Sequence, residues 1–558
     1  MMFATMLLCG IIISACSSSD DNSTGGGEDG GDITSGEVVM MYYSVGGGDL
    51  DMITETELAW AAYYKPQYHP NVRSFVQMKY SAKRYSKWEA GYEPSGEYGC
   101  VYRYEMNANS LNPAYKGDIN KAKGFTGEGF KKIAGKDFKM YDPANLTDFI
   151  NWCIKEAPDA KAYVLVFGDH GGAYDISDDY NKKMRGVMYD ENLPDKPCMS
   201  PTEIATALKN TTKRINMIVF DCCLMSNLEV LGELQGATDF VFASGHVTVG
   251  MLLNTLCYHL SKIPASSDIN TGIKTQMSDF TVILTNEMRK NYLNNLDEER
   301  YKRSIDFTLT DMSKLPALFS GIKKVSDYLT KYVNNLSPAD LPDKTDAFDK
   351  AASECYQYVN NRPYYDIKTY LDQLKKEVFS NDTEFASLVD EVANAVKNCH
   401  VKHEEFSYDI EGKEHKYGLS YSVILGFNSK RLNFSLVQEA DKRNVENQGV
   451  IMSIISGGTG EDNNPYYNNY LLENGDSYFT QWYEGQEVNI QMVNAYGKDN
   501  SHTYQSWDNT YRTLAFDKAT SWSNWIKINP GIPFDNPPYD DFGNVIFEDP
   551  NMFDITGQ

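Results

Sequence analysis

Tyr163–Gly172 reads YVLVFGDHGG, and Asn216–Val230 reads NMIVFDCCLMSNLEV. Each stretch opens on an apolar, β-branched run of the kind that forms a buried strand. Each run then delivers a reactive side chain: His170 followed by Gly171, and Cys223 after Asp221 and Cys222. Binding sites in open parallel sheets form at the carboxyl ends of the strands. A His and a Cys brought to that edge by separate strands make a nucleophile and its acid/base partner. A strand-end His taken alone is more often a turn or core residue, and a strand-end Cys is usually a small buried hydrophobe. Their order and context together point to chemistry. Adjacent residues of an extended chain point to opposite faces, so only one of Cys222 and Cys223 can face a cleft.

The two segments resemble the active site of the clostripain-like cysteine peptidases, members of the caspase–haemoglobinase clan. That family carries an apolar strand ending in His-Gly and a later one ending in Asp-Ala-Cys-Leu-Met. This chain reads Asp221-Cys222-Cys223-Leu224-Met225, so Cys222 fills the alanine slot and the nucleophile position falls on Cys223. The resemblance implies a three-layer αβα sandwich with a mostly parallel, caspase-like sheet and helical additions. It implies His170 and Cys223 as catalytic residues, with the backbone N–H groups of Gly171 and Cys223 meeting the oxyanion. It places Asp221 in an S1 pocket for Arg or Lys. The scheme requires no metal or organic cofactor. Some relatives are calcium-stimulated, so calcium is possible, but nothing in the sequence supports it: the acids of Asp175–Asp179 read as solvated loop residues.

Two departures from the family pattern matter. After the next strand the family continues as Ser-Glu-Glu and an acidic, Gly-Trp-containing loop, whereas this chain reads Ala243-Ser244-Gly245-His246-Val247-Thr248-Val249-Gly250-Met251. The acids are gone, which weakens the inference of a basic P1 residue, and His246 either replaces a pocket contact or caps the loop. The loop after the His-Gly strand holds Lys182, Lys183 and Arg185 in a polar stretch suited to nicking. They are candidates for self-cleavage, with a solvated basic cluster as the alternative.

The chain has 558 residues, more than one typical domain, and 42% of them are hydrophobic, ample for a core. A net charge of −25 without a basic patch argues against a nucleic-acid partner. The expected partners are protein or peptide substrates, and a membrane reached through an N-terminal lipid. Met6–Ser14 is a short apolar segment, too short for a permanent membrane helix. It ends in Ile13-Ser14-Ala15-Cys16, which resembles a bacterial lipobox, although no Lys or Arg precedes it. Residues 1–15 are therefore expected to be a lipoprotein signal and Cys16 the lipidated residue. Residues 16–36 read as a Ser-, Asp- and Gly-rich tether, with an acidic start resembling export signals to the outer-membrane surface.

Residues 37–528 are expected to form the peptidase domain with helical insertions, and 529–558 an irregular tail. Val38–Val45, Val72–Tyr80 and Cys100–Met106 read as strands, and Leu146–Glu156 as a helix. Ser200-Pro201-Thr202-Glu203 is a capping box with Pro at the first helical position. Cys399-His400-x-x-His403 could mimic metal ligands but reads better as a solvated helix end. The expected activity is a cell-surface, lipid-anchored cysteine endopeptidase using a Cys–His dyad. The alternative is a catalytically silent binding or adhesion lipoprotein on the same scaffold; a carbohydrate-binding surface protein is suggested only by the many aromatics.

Overall fold

Strand β1 (Val38–Val45) is buried along its whole length and pairs in parallel with β2 (Val72–Lys79) on one side and β5 (Ala162–Gly168) on the other. The structure is a computed structural model. It describes residues 38–46, 48, 50–86, 88–174, 186–190, 192–193, 197–248, 250–264, 268–294, 304–336, 341–358, 364–408, 413–425, 477–483, 486–492 and 511–529. Strand β3 (Val101–Glu105) and β4 (Lys131–Ala134) extend the β2 edge antiparallel. Beyond β5 come β6 (Ile215–Asp221) and β7 (Thr238–Ala243), both parallel, then β8 (Ile305–Asp311), antiparallel. The far edge is β10 (His400–Tyr408) and β11 (Glu414–His415); β9 (Tyr364–Asp366) pairs instead with β12 (Ser422–Ile424) in a small separate sheet.

The parallel heart of the sheet is apolar on both faces, as strands covered on both sides must be. Alternate residues of one strand therefore enter different cores. Val39, Met41 and Tyr43 join one cluster, with the helices Pro143–Glu156, Pro201–Lys209 and Leu228–Leu234. Val38, Met40 and Tyr42 join the other, with Leu50–Tyr68, Leu253–Ser261 and Ile269–Asn294. Two cores on two faces of one sheet make the three-layer αβα arrangement expected from the sequence. Among the described residues between 268 and 398 the chain is chiefly helical, with β8 and β9 interrupting the run.

The Ser200 capping box forms in full: its hydroxyl accepts from Glu203 N–H, and the Glu203 carboxylate accepts from Ser200 N–H at 2.9 Å. His400 and His403 differ from the expectation of a solvated helix end. The helix Thr383–Cys399 stops, and both histidines lie half-buried on β10, their rings 4.9 Å apart. His403 bonds Thr308 Oγ1 at 2.8 Å and Glu405 at 3.2 Å, which accounts for it without a ligand. Among the described residues, no cluster of three His, Cys, Asp or Glu is placed to hold a metal, and no helix is long and apolar enough to cross a membrane.

Candidate active site

β5 and β6 run side by side with Gly168 opposite Asp221, so both strands end at the same sheet edge. Just beyond, the Asp169 N–H donates to Asp221 O at 3.4 Å. His170 and Gly171 thus emerge beside Cys222 and Cys223. The two backbones approach so closely that a Cβ added to Gly171 would lie 2.0 Å from Cys223 O and 2.6 Å from Cys223 N. Only glycine fits there.

The two adjacent cysteines part company. Cys222 is buried, and its thiol reaches Phe167 O at 3.3 Å inside the core. Cys223 and His170 are half-buried at the edge. Strand β6 stops at Asp221, and the chain turns sharply through Leu224 at φ +65°. The helix behind it begins at Leu228. Asn227 caps it, accepting from Val230 N–H at 3.2 Å. The Cys223 sulfur accepts from Thr248 N–H at 3.4 Å and lies 3.7 Å from Thr248 O. Burial pushes its thiol up to about 11, against which the N–H groups of Thr248 and Gly171 favour the thiolate.

Asp221 sits beneath the site. Tyr42 on β1 donates its hydroxyl to Asp221 Oδ2 at 2.9 Å, and Gly168 leaves room for that reach. A second carboxylate stands close by that sequence reasoning missed. Glu57, on the helix after β1, accepts from Leu253 N–H at 3.1 Å and lies under Gly250. Burial and repulsion by Asp221 push Glu57 up to about 8, and burial pushes Asp221 up to about 6. Interacting carboxyls titrate as a pair, holding one proton between them near neutrality. The only trace of Glu57 in the sequence is the concentration of acids, Asp51, Glu55 and Glu57, on a helix whose neighbours are largely buried.

His246 is buried. Its ring is clamped between Asp306 on β8 and Tyr356, at 2.5 and 2.7 Å. Cys16, Lys182, Lys183, Arg185, Asp175–Asp179 and the tail beyond 529 lie outside the described residues.

The clostripain family profile matches residues 117–528. The resemblance expected over residues 38–116 falls outside that match, although those residues supply β1, β2 and β3 of the same sheet. A search of curated proteins finds no match. Among solved structures, the chain is similar to a secreted C11 cysteine protease from Bacteroides thetaiotaomicron called iotapain. The two are 16% identical over 69% of this chain and 92% of that one, with a TM-score of 0.42. A complex of a secreted C11 cysteine protease from the same organism with an irreversible peptide inhibitor is 12% identical, over 70% and 92%, at 0.43. An inactive zymogen C11 protease from Parabacteroides distasonis is 13% identical, over 87% and 98%, at 0.43. With a family profile spanning most of its length, the chain belongs to the clostripain family of cysteine peptidases.

Proposed function

We propose that the chain is a surface endopeptidase in which Cys223 is the nucleophile and His170 its acid/base partner, cleaving after Arg or Lys. His170 takes the proton from the Cys223 thiol, and the sulfur attacks the scissile carbonyl carbon. The tetrahedral oxyanion meets the N–H groups of Gly171 and Cys223. The C–N bond then breaks, and the amine leaves with the proton from His170. Water, deprotonated by the same imidazole, hydrolyses the thioester and regenerates the thiol. The observation that carries this reading is the meeting of Gly171 and Cys223 backbones, with the Cys223 sulfur at the edge and Cys222 turned into the core.

The carboxylate pair Asp221 and Glu57 supports the basic P1 preference. It makes good the acids missing from residues 245–251 with an acid from another element. An Arg guanidinium is the natural partner for such a pair. Lipid attachment at Cys16 and self-cleavage at Lys182, Lys183 or Arg185 belong to the same proposal and rest on the sequence. So does the absence of any cofactor requirement. The first solved structure above is described as secreted, in keeping with a location outside the cytoplasm. A fluorogenic peptide library screened on the chain from Glu37 onward tests the peptidase activity and its P1 preference. Cleavage after Arg or Lys supports it, and no cleavage of any peptide would leave the binding lipoprotein as the better account.

A further inference from the structure

The loop that differs most from the family pattern, Ala243–Met251, is the one that touches the Cys223 sulfur. We propose that His246, Asp306 and Tyr356 act as a positioning lock that holds the Ser244–Thr248 run against Cys223. This rests on the reading of Cys223 as the nucleophile.

The run is tied at Ser244, Gly245, His246 and Thr248. Ser226 N–H donates to Ser244 O at 2.9 Å, and Leu224 N–H donates to His246 O at 3.1 Å. The first residue after Cys223 is therefore bonded directly to His246. His246 N–H in turn donates to Ser244 Oγ at 3.0 Å. The imidazole is fixed at both nitrogens. Asp306 Oδ1 accepts from Nδ1–H at 2.5 Å and also from Gly245 N–H at 2.9 Å. A carboxylate only accepts, so Nδ1 carries the hydrogen, and Nε2 meets the Tyr356 hydroxyl at 2.7 Å. The Tyr358 ring lies 4.8 Å from the imidazole and closes over Gly245, where a Cβ would come within 2.5 Å of it. Tyr356 is itself anchored: its N–H donates to Thr369 Oγ1 at 3.0 Å, and its carbonyl accepts from Asp366 N–H at 2.8 Å.

His246 is buried and Val247 is exposed, so the chain alternates inward and outward across the lock. Thr248, again buried, then offers its N–H to the sulfur, while its Oγ1 has no hydrogen-bond partner. The Thr248 side chain adds no hydrogen bond to this placement, so the nearest polar ties on the run are those of His246 two residues earlier. Asp306 belongs to β8 and Tyr356 to the segment before β9, so the lock ties the nucleophile turn to two distant parts of the chain.

The test uses Tyr356→Phe, His246→Asn and His246→Leu in the whole protein. Asn keeps a donor toward Asp306, and Leu keeps neither bond. Two quantities are read: the rate at which iodoacetamide alkylates Cys223, resolved from Cys222 by tandem mass spectrometry, and kcat and KM on one fluorogenic peptide. Loss of alignment at a reacting centre costs up to roughly a hundredfold. Tyr356→Phe is expected to slow alkylation and kcat about tenfold with KM little changed and the chain still folded by circular dichroism. His246→Leu is expected to lose more than His246→Asn. A lowered melting temperature with wild-type alkylation and kcat would overturn the proposal, because the triad would then be structural only. A raised KM with unchanged kcat would also overturn it. Alkylation does not need turnover, so the lock fails or stands separately from the peptidase reading, which fails if no peptide is cleaved or if Cys223→Ala keeps activity.

Discussion

Glu57→Gln is the sharpest probe of specificity. It replaces a carboxyl by a neutral group of the same shape, under a loop whose Leu253 N–H it would still meet. Before substrate binds, the Glu57–Asp221 pair holds a proton at pH 7, since burial raises both carboxyls and their repulsion pushes Glu57 up to about 8. An arriving P1 cation must therefore draw off its proton, at a cost of about 1.4 kcal/mol for one unit of pKa. A guanidinium at salt-bridge range from the resulting carboxylate gains about 4 kcal/mol at an effective dielectric of about 20. The surplus of about 2–3 kcal/mol corresponds to a loss of roughly 30- to 160-fold in kcat/KM on an Arg substrate in the variant. The assay is the ratio of kcat/KM for paired peptides with Arg or a neutral residue at P1, which cancels the titration of Cys223. That ratio should rise with pH from about 6 to about 8 in the parent and stay flatter in Glu57→Gln. Stability should move the other way. Glu57 titrates above its ordinary value, so its contribution is complete below about pH 4.5 and is lost as pH rises through about 8. Glu229, pushed up to about 7 by burial, adds loss in the same direction. The melting temperature should thus fall from pH 5 to pH 9, and less steeply in Glu57→Gln. An unchanged Arg-to-neutral ratio in the variant would refute the reasoning.

Other outcomes follow from single contacts. Lys79 and Asp190 form a fully buried ion pair at 2.7 Å that pins the segment after residue 185 to β2. Lys79→Met should cost about 3–5 kcal/mol in urea unfolding, and replacing both partners by apolar residues should recover most of it. Gly171→Ala drives a methyl into the Cys223 backbone and should lower kcat roughly a hundredfold while the chain stays folded by circular dichroism. Alkylation of Cys223 should rise about tenfold per pH unit between 7 and 9, because its thiol titrates near 11 and only the thiolate reacts. Labelled palmitate should enter the protein in cells and be absent from Cys16→Ala.

The parallel heart of the sheet was legible because β5 and β6 are continuous apolar runs, and their ends carry the residues that resemble the family. The Ser200 helix start was legible because a capping box is local. Glu57 was not, because its meaning depends on a tertiary meeting with Asp221 and the loop before Leu253, far apart in sequence. His246 was half legible: the loss of the family acids showed, but not that the imidazole turns inward to Asp306 on β8. His400 misled for a simpler reason. The helix Thr383–Cys399 passes into β10 with no intervening loop, so a helix end and a strand start share one residue step.

The central claim is that Cys223, not its neighbour, does the chemistry. Incubating the protein with a peptide acyloxymethyl ketone bearing Arg or Lys at P1, then sequencing the modified peptide by tandem mass spectrometry, tests it most directly. The account predicts one adduct, on Cys223, that forms equally in Cys222→Ala and is lost in Cys223→Ala. An adduct on Cys222 that survives Cys223→Ala would contradict it.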